Sequence, residues 1–158
     1  MLMKIYQYLQ PENIYLDVPL DDKDAVLWFV AEAFASKGVV KDSTLLYEGM
    51  KQREETMSTG IGHGIGIPHA ASNETSRPAL VLVRLLRAVN FDSIDGKPVK
   101  IVLALVVPGE KVDTHLQMLA GVARLCQNPD YVNIVNAASD SSALGKQIEN
   151  LEEATTLL

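Results

Sequence analysis

Between Ser58 and His69 the chain reads Ser-Thr-Gly-Ile-Gly-His-Gly-Ile-Gly-Ile-Pro-His. Glycines at 60, 62, 64 and 66 exclude a helix here and strip side chains from the backbone. That permits unusual dihedrals and close approach to a bound group. Successive N–H groups in such a loop can cradle an anion. Ser58 and Thr59 add hydroxyl donors, so Ser58, Thr59, Gly60 and Gly62 are the candidate phosphate contacts. Pro68 fixes the backbone directly before His69, which holds that imidazole at a defined place. A histidine with its ordinary pKa of about 6.5 is largely neutral near pH 7. The neutral ring is a nucleophile that forms covalent intermediates. The chemistry suggested is acceptance of a phosphoryl group on His69, a reaction that demands positioning and neutralisation of spread charge.

A phosphorylated imidazole needs a cation and several donors close by. Arg53 lies five residues before Ser58, at the end of a predicted helix. His115 lies in the first turn of another predicted helix, where free N–H groups favour anions. On a helical wheel His115 borders the apolar stripe and should face the protein body. Spacing along the chain does not by itself bring His69, Arg53 and His115 together. Only the fold can do that.

The elements that must position these groups alternate between strands and helices. Asn13 to Val18 alternates, with Ile14, Leu16 and Val18 on one side, as a short strand does. Asp21 and Asp22 open a helix to about Lys37, stopped by Gly38, with Val26, Phe29, Val30, Ala33 and Phe34 as its stripe. Asp42 or Ser43 caps a second helix to about Glu55, on which Leu46, Met50 and Arg53 share a face. Ala79 to Leu86 reads as a strand interrupted by Arg84. Asp95-Gly96 signals a tight turn into the next strand, Val99 to Val107. That strand is apolar almost throughout, so it is expected to be central and covered on both faces. Val112, Leu116, Leu119, Ala123 and Cys126 then mark an amphipathic helix, with Thr114 and Gln117 at capping-box spacing. Helices around Tyr131 to Ala138 and Ser142 to Glu152 complete a three-layer α/β arrangement with a mixed sheet.

The whole chain sets bounds on these readings. Its 158 residues fit one domain, 1–158. Hydrophobic residues at 47% and charged ones at 22% allow a sizeable core and exclude a disordered chain. A formal net charge of −6 argues against a nucleic-acid partner, which calls for a basic surface. The single cysteine, Cys126, permits no internal disulfide and reads as a small core residue. No secretory signal is visible, and the longest apolar run, Ile101 to Val107, is too short to span a bilayer. A cytoplasmic protein, not inserted in the membrane, is expected.

At this point a resemblance enters. STGIGHGIGIPHA resembles the active-site segment of the fructose–mannitol type of enzyme IIA of the phosphoenolpyruvate-dependent phosphotransferase system. That family also includes the nitrogen-regulatory phosphotransfer protein. REETMSTGIG at 53–62, FDSIDGKPV at 91–99, ALVVPGE at 104–110 and THLQMLAGVARL at 114–125 are similar to family sequence, in family order. The resemblance implies an α/β/α sandwich with a mixed sheet. It implies that His69 takes a phosphoryl group from a phosphocarrier protein of the HPr type, that His115 supports the group, and that Arg53 helps to neutralise it. It implies no metal and no organic cofactor. Two positions depart from the family pattern. Gly66 stands where alanine is common, and is expected only to loosen the backbone. His63 stands where asparagine or another polar residue is expected.

Two functions share this chemistry. One is a phosphotransferase carrier for sugar uptake, which hands the group to an enzyme IIB-type transporter subunit. The other is a nitrogen-related regulator that binds target proteins according to its phosphorylation state. A third reading, a metal-dependent hydrolase built on three histidines, lacks the H-E-x-x-H spacing or cysteine cluster such a site uses. Mechanism leads one to expect an apolar patch around His69 where the phosphocarrier docks.

Overall fold

The structure, a computed structural model, describes residues 3–156. Two short 3-10 turns, Ile5–Tyr8 and Pro11–Asn13, lead into strand β1 (Ile14–Val18). Helices α1 (Lys23–Ser36) and α2 (Ser43–Thr56) follow. Each begins with an aspartate cap: Asp22 Oδ1 accepts from the Ala25 N–H at 2.8 Å, and Asp42 Oδ1 from the Leu45 N–H at 3.0 Å. These bonds satisfy donors that the first helical turn leaves open. Gly38, at φ +76°, ends α1 in a left-handed conformation that suits glycine.

The glycine-rich segment folds into three short strands, β2 (Gly60–Gly62), β3 (Ile65–Gly66) and β4 (His69–Ser72). Long strands β5 (Ala79–Val89) and β6 (Val99–Pro108) come next. Three helices close the chain: α3 (Val112–Gln127), α4 (Pro129–Ala137) and α5 (Ser141–Thr156). The sheet runs β1-β5-β6-β3-β2, with β4 also pairing with β6. It is mixed: β1 lies parallel to β5, β5 antiparallel to β6, and β3 and β4 both parallel to β6.

Strand β6 is central, as its apolar run predicts. Val102, Ala104 and Val106 pack with α1 and α2 on one face, whereas Ile101, Leu103, Leu105 and Val107 pack with α3, α4 and α5 on the other. The period-two alternation of side chains therefore feeds two separate cores from one strand. The result is the expected α/β/α sandwich. Burying each of these side chains removes it from water at a gain of roughly 1.5–3 kcal/mol for a Val- or Leu-sized group.

Three expectations are corrected. The Asp95-Gly96 signal does mark a turn, in which the Gly96 N–H donates to the Ser93 carbonyl at 2.9 Å, but this turn lies within a longer connection and not in a two-residue hairpin. The link is the loop 90–98, which reaches across to β2, where the Ile94 N–H donates to the Gly60 carbonyl at 3.2 Å. Thr114 does not cap α3. The helix starts earlier, at Val112, behind Lys111, whose side chain makes no cap bond. Gly66 does more than loosen the backbone: a Cβ there would lie 2.9 Å from Phe91 Cε2. The glycine makes room for the buried Phe91 ring. Among the described residues, no helix is long and apolar enough to cross a membrane.

Candidate active site

His69 is the first residue of β4, opposite Leu105 of β6. Strands β3 and β4 lie along the same edge of β6, with Ile67 and Pro68 between them. At this break the Ile67 N–H turns aside to the Thr59 carbonyl, 3.0 Å away, while the Pro68 carbonyl still accepts from the Leu105 N–H at 2.9 Å. Proline, which has no N–H to offer, suits a point where the ladder is interrupted. The His69 backbone is thus anchored in the sheet, while its side chain is half-buried at the surface.

The ring itself is oriented. His69 Nδ1 lies 2.8 Å from the Ile67 carbonyl oxygen. A carbonyl only accepts, so Nδ1 carries the proton and Nε2 carries the free lone pair. Burial holds the His69 pKa below its usual value, and the nearby charges of Arg53 and His115 push the same way. The Ile67 bond and the Glu54 carboxylate act in the opposite sense without reversing the shift. The ring is therefore neutral and nucleophilic at neutral pH.

His115 comes from α3, which packs on the face of the sheet opposite α1 and α2. Its ring stands edge-on to His69, with centroids 5.9 Å apart and planes at 77°. Its N–H bonds back to the Lys111 carbonyl at 3.1 Å. Val112, Asp113 and Thr114 then occupy the first helical positions, whose N–H groups have no partner within a helix. Arg53 comes from the last turn of α2. Its Nη1 donates to the Met57 carbonyl at 2.7 Å, which closes the helix end, and its charge is felt at His69. Three residues far apart in sequence thus meet from both helical layers and the sheet between them.

The other glycine-segment candidates are engaged within the fold. The Ser58 hydroxyl donates to the Phe91 carbonyl at 2.5 Å and accepts from the Gly60 N–H at 3.0 Å. Thr59 is buried, and both its N–H and its hydroxyl donate to the Glu54 carboxylate. A Cβ at Gly60 would collide with Ser93, and one at Gly62 would sit 3.4 Å from Asp95 Oδ2. These glycines let loop 90–98 lie against the hairpin. His63 and Gly64 form its turn, both with positive φ, and His63 is exposed. Its αL geometry explains why asparagine is the expected residue there.

Sequence reasoning passed over Glu54 and Lys23. Glu54 is a buried carboxylate, and Lys23 Nζ lies 3.1 Å from it. The only signal in the chain was a second acidic residue beside Arg53, which reads as solvated helix surface until the fold is known.

The profile of the family described as "Phosphoenolpyruvate-dependent sugar phosphotransferase system, EIIA 2" matches residues 7–151. The chain belongs to this enzyme IIA family. It is 32% identical over 119 residues to the fructose-specific EIIA component of Haloferax volcanii, a match that covers 75% of this chain and 77% of that one. It is 34% identical over 136 residues to the nitrogen regulatory protein of Escherichia coli K12, covering 85% and 83%. Its fold matches the crystal structure of nitrogen regulatory protein IIA-Ntr from Neisseria meningitidis with a TM-score of 0.84 at 24% identity, covering 91% and 98%. It also matches the Escherichia coli mannitol enzyme IIA solved in complex with phosphorylated enzyme IIB, with a TM-score of 0.73 at 17% identity, covering 90% and 97%. Enzyme IIA proteins of this family are phosphoryl-transfer components, the chemistry for which a neutral imidazole beside a cation is suited.

Proposed function

We propose that this enzyme IIA is a histidine phosphocarrier that holds the phosphoryl group on His69 Nε2. The observation that carries the reading is the bond between His69 Nδ1 and the Ile67 carbonyl, which leaves Nε2 free to attack. The Nε2 lone pair forms a bond to the phosphorus of a donor phosphohistidine. The donor's P–N bond breaks, and its electron pair returns to the donor ring. His115 and the start of α3 would hold the incoming oxygens on one side, and Arg53 would neutralise them on the other. Ser58, Thr59, Gly60 and Gly62 would shape the hairpin that presents the imidazole.

The donor would be an HPr-type phosphocarrier and the recipient an enzyme IIB-type subunit, as the complex of mannitol enzyme IIA with phosphorylated enzyme IIB suggests. A transient partner needs a surface to dock on. Met57 beside Arg53, Ile61 and Ile94 on the hairpin side, and Val112 and Leu116 flanking His115 are all large, apolar and exposed; Ile94 is 86% exposed. They would form the apolar patch that the mechanism calls for. The reactions would take place in the cytoplasm.

A second reading rests on the relatives named nitrogen regulatory protein and on the likeness to IIA-Ntr. In it the same phosphohistidine switches binding to regulatory targets by adding negative charge to this apolar face. The test is intact mass after incubation with phosphoenolpyruvate, enzyme I and an HPr-type protein, beside His69→Ala. An acid-labile gain of one phosphoryl group, absent in the variant, supports the carrier. Adding an enzyme IIB subunit then separates the branches: discharge of the label indicates transport, and retention indicates regulation.

A further inference from the structure

Glu54 follows Arg53 on α2, yet its side chain is only 3% exposed. A buried carboxylate is costly unless it is paired and bonded. Here Oε2 accepts from the Thr59 N–H at 3.1 Å and from Lys23 Nζ at 3.1 Å, and Oε1 accepts from the Thr59 hydroxyl. Lys23 also lies 3.6 Å from Asp92 and over the Phe91 ring. The start of α1, the end of α2 and loop 90–98 converge on this one carboxylate.

Thr59 is the link to the imidazole. Glu54 fixes its N–H and its hydroxyl, the Thr59 carbonyl holds the Ile67 N–H, and the Ile67 carbonyl holds His69 Nδ1. We propose that Glu54 is a positioning residue for His69: it acts through Thr59 and Ile67 to set the ring's orientation and tautomer, and its charge, balanced by Lys23, tunes the ring's proton affinity. This rests on His69 being the phosphoryl acceptor. The charged groups that face His69 are Arg53 and Glu54 from α2 and His115 from α3, and among them only Glu54 favours the protonated ring. A hydrophobic side chain at 54 would fill the same space without that influence.

The test titrates the His69 ring by NMR in wild type, Glu54→Gln and Lys23→Met, and measures the initial rate of phosphorylation in each. Removing the carboxylate should lower the His69 pKa further, and removing its counter-charge, which leaves the carboxylate unbalanced, should raise it. A purely structural role predicts something else. Loosened packing would expose the ring and raise its pKa in both variants. The phosphorylation rate should fall severalfold in Glu54→Gln. An unchanged or raised His69 pKa in folded Glu54→Gln overturns the proposal. Should that variant not fold, Thr59→Val and Thr59→Ser carry the test: the first should slow phosphorylation and the second, which keeps the donor, should restore it. Equal wild-type rates in both overturn the proposal. The titration does not depend on phosphorylation, so labelling that persisted in His69→Ala would remove the carrier reading while leaving this linkage measurable.

Discussion

The two histidines of the site are supported in contrasting ways. His69 stands on a sheet strand, with its backbone paired to β6, its Nδ1 held by Ile67 and a buried Glu54–Thr59 pair beneath it. His115 stands one turn into a helix whose start has no side-chain cap and whose neighbours Val112 and Leu116 are exposed. The first position is over-determined. The second sits at an open helix end, where a partner's surface would close over it. The contrast suggests a division of labour, in which the sheet side fixes the nucleophile and the helix side adapts to the phosphoryl group and to whichever protein delivers or removes it.

The largest effect should come from the fixed side. His69→Ala should abolish labelling while circular dichroism and the thermal midpoint stay near wild type, because the side chain is only half-buried. Labelling that survived would break the division outright. On the adaptable side, His115→Ala should leave some labelling and slow onward transfer by roughly 100-fold, the scale of losing one transition-state donor. Stopped-flow transfer to an enzyme IIB subunit measures it, and an equal loss in both directions would erase the contrast. A smaller effect is expected at the rim. Ile94→Glu should raise the apparent KM for the phosphocarrier about tenfold with little change in kcat, as removal of an exposed docking residue does.

The hairpin beneath His69 offers a stability test. Gly66→Ala pushes a methyl group against the Phe91 ring and should cost about 1–3 kcal/mol in urea denaturation. A neutral result would mean that the support under the nucleophile is loosely packed. The smallest effect is in pH. The His69 pKa is depressed, mainly by burial, so the ring stays neutral to below about pH 6.5 and labelling should persist there. The same shift makes unfolding bind a proton. Stability from His69 is full above its unfolded pKa and declines as pH falls towards the folded one. His69→Ala should lack that decline.

Much of this was legible in the chain. The nearly continuous apolar run in Val99–Val107 foretold a central strand, and Asp22 and Asp42 marked helix starts, because those signals are local. The glycines drew attention to the correct segment but for an incomplete reason. Their crowding against Ser93 and Phe91 depends on loop 90–98 crossing from a distance, which no spacing reveals. The Glu54–Lys23 pair, 31 residues apart, was hidden for the same reason. The cap of α3 was misplaced because Thr114 and Gln117 have capping-box spacing, whereas the helix already begins at Val112, behind Lys111, with no side-chain cap bond.

The most direct measurement is the site of phosphorylation itself, read by 15N and 31P NMR on protein charged by its phosphocarrier. The account predicts one phosphoramidate, on Nε2 of His69, with Nδ1 still protonated. A phosphoryl group on Nδ1, or on His115 or His63, would contradict it.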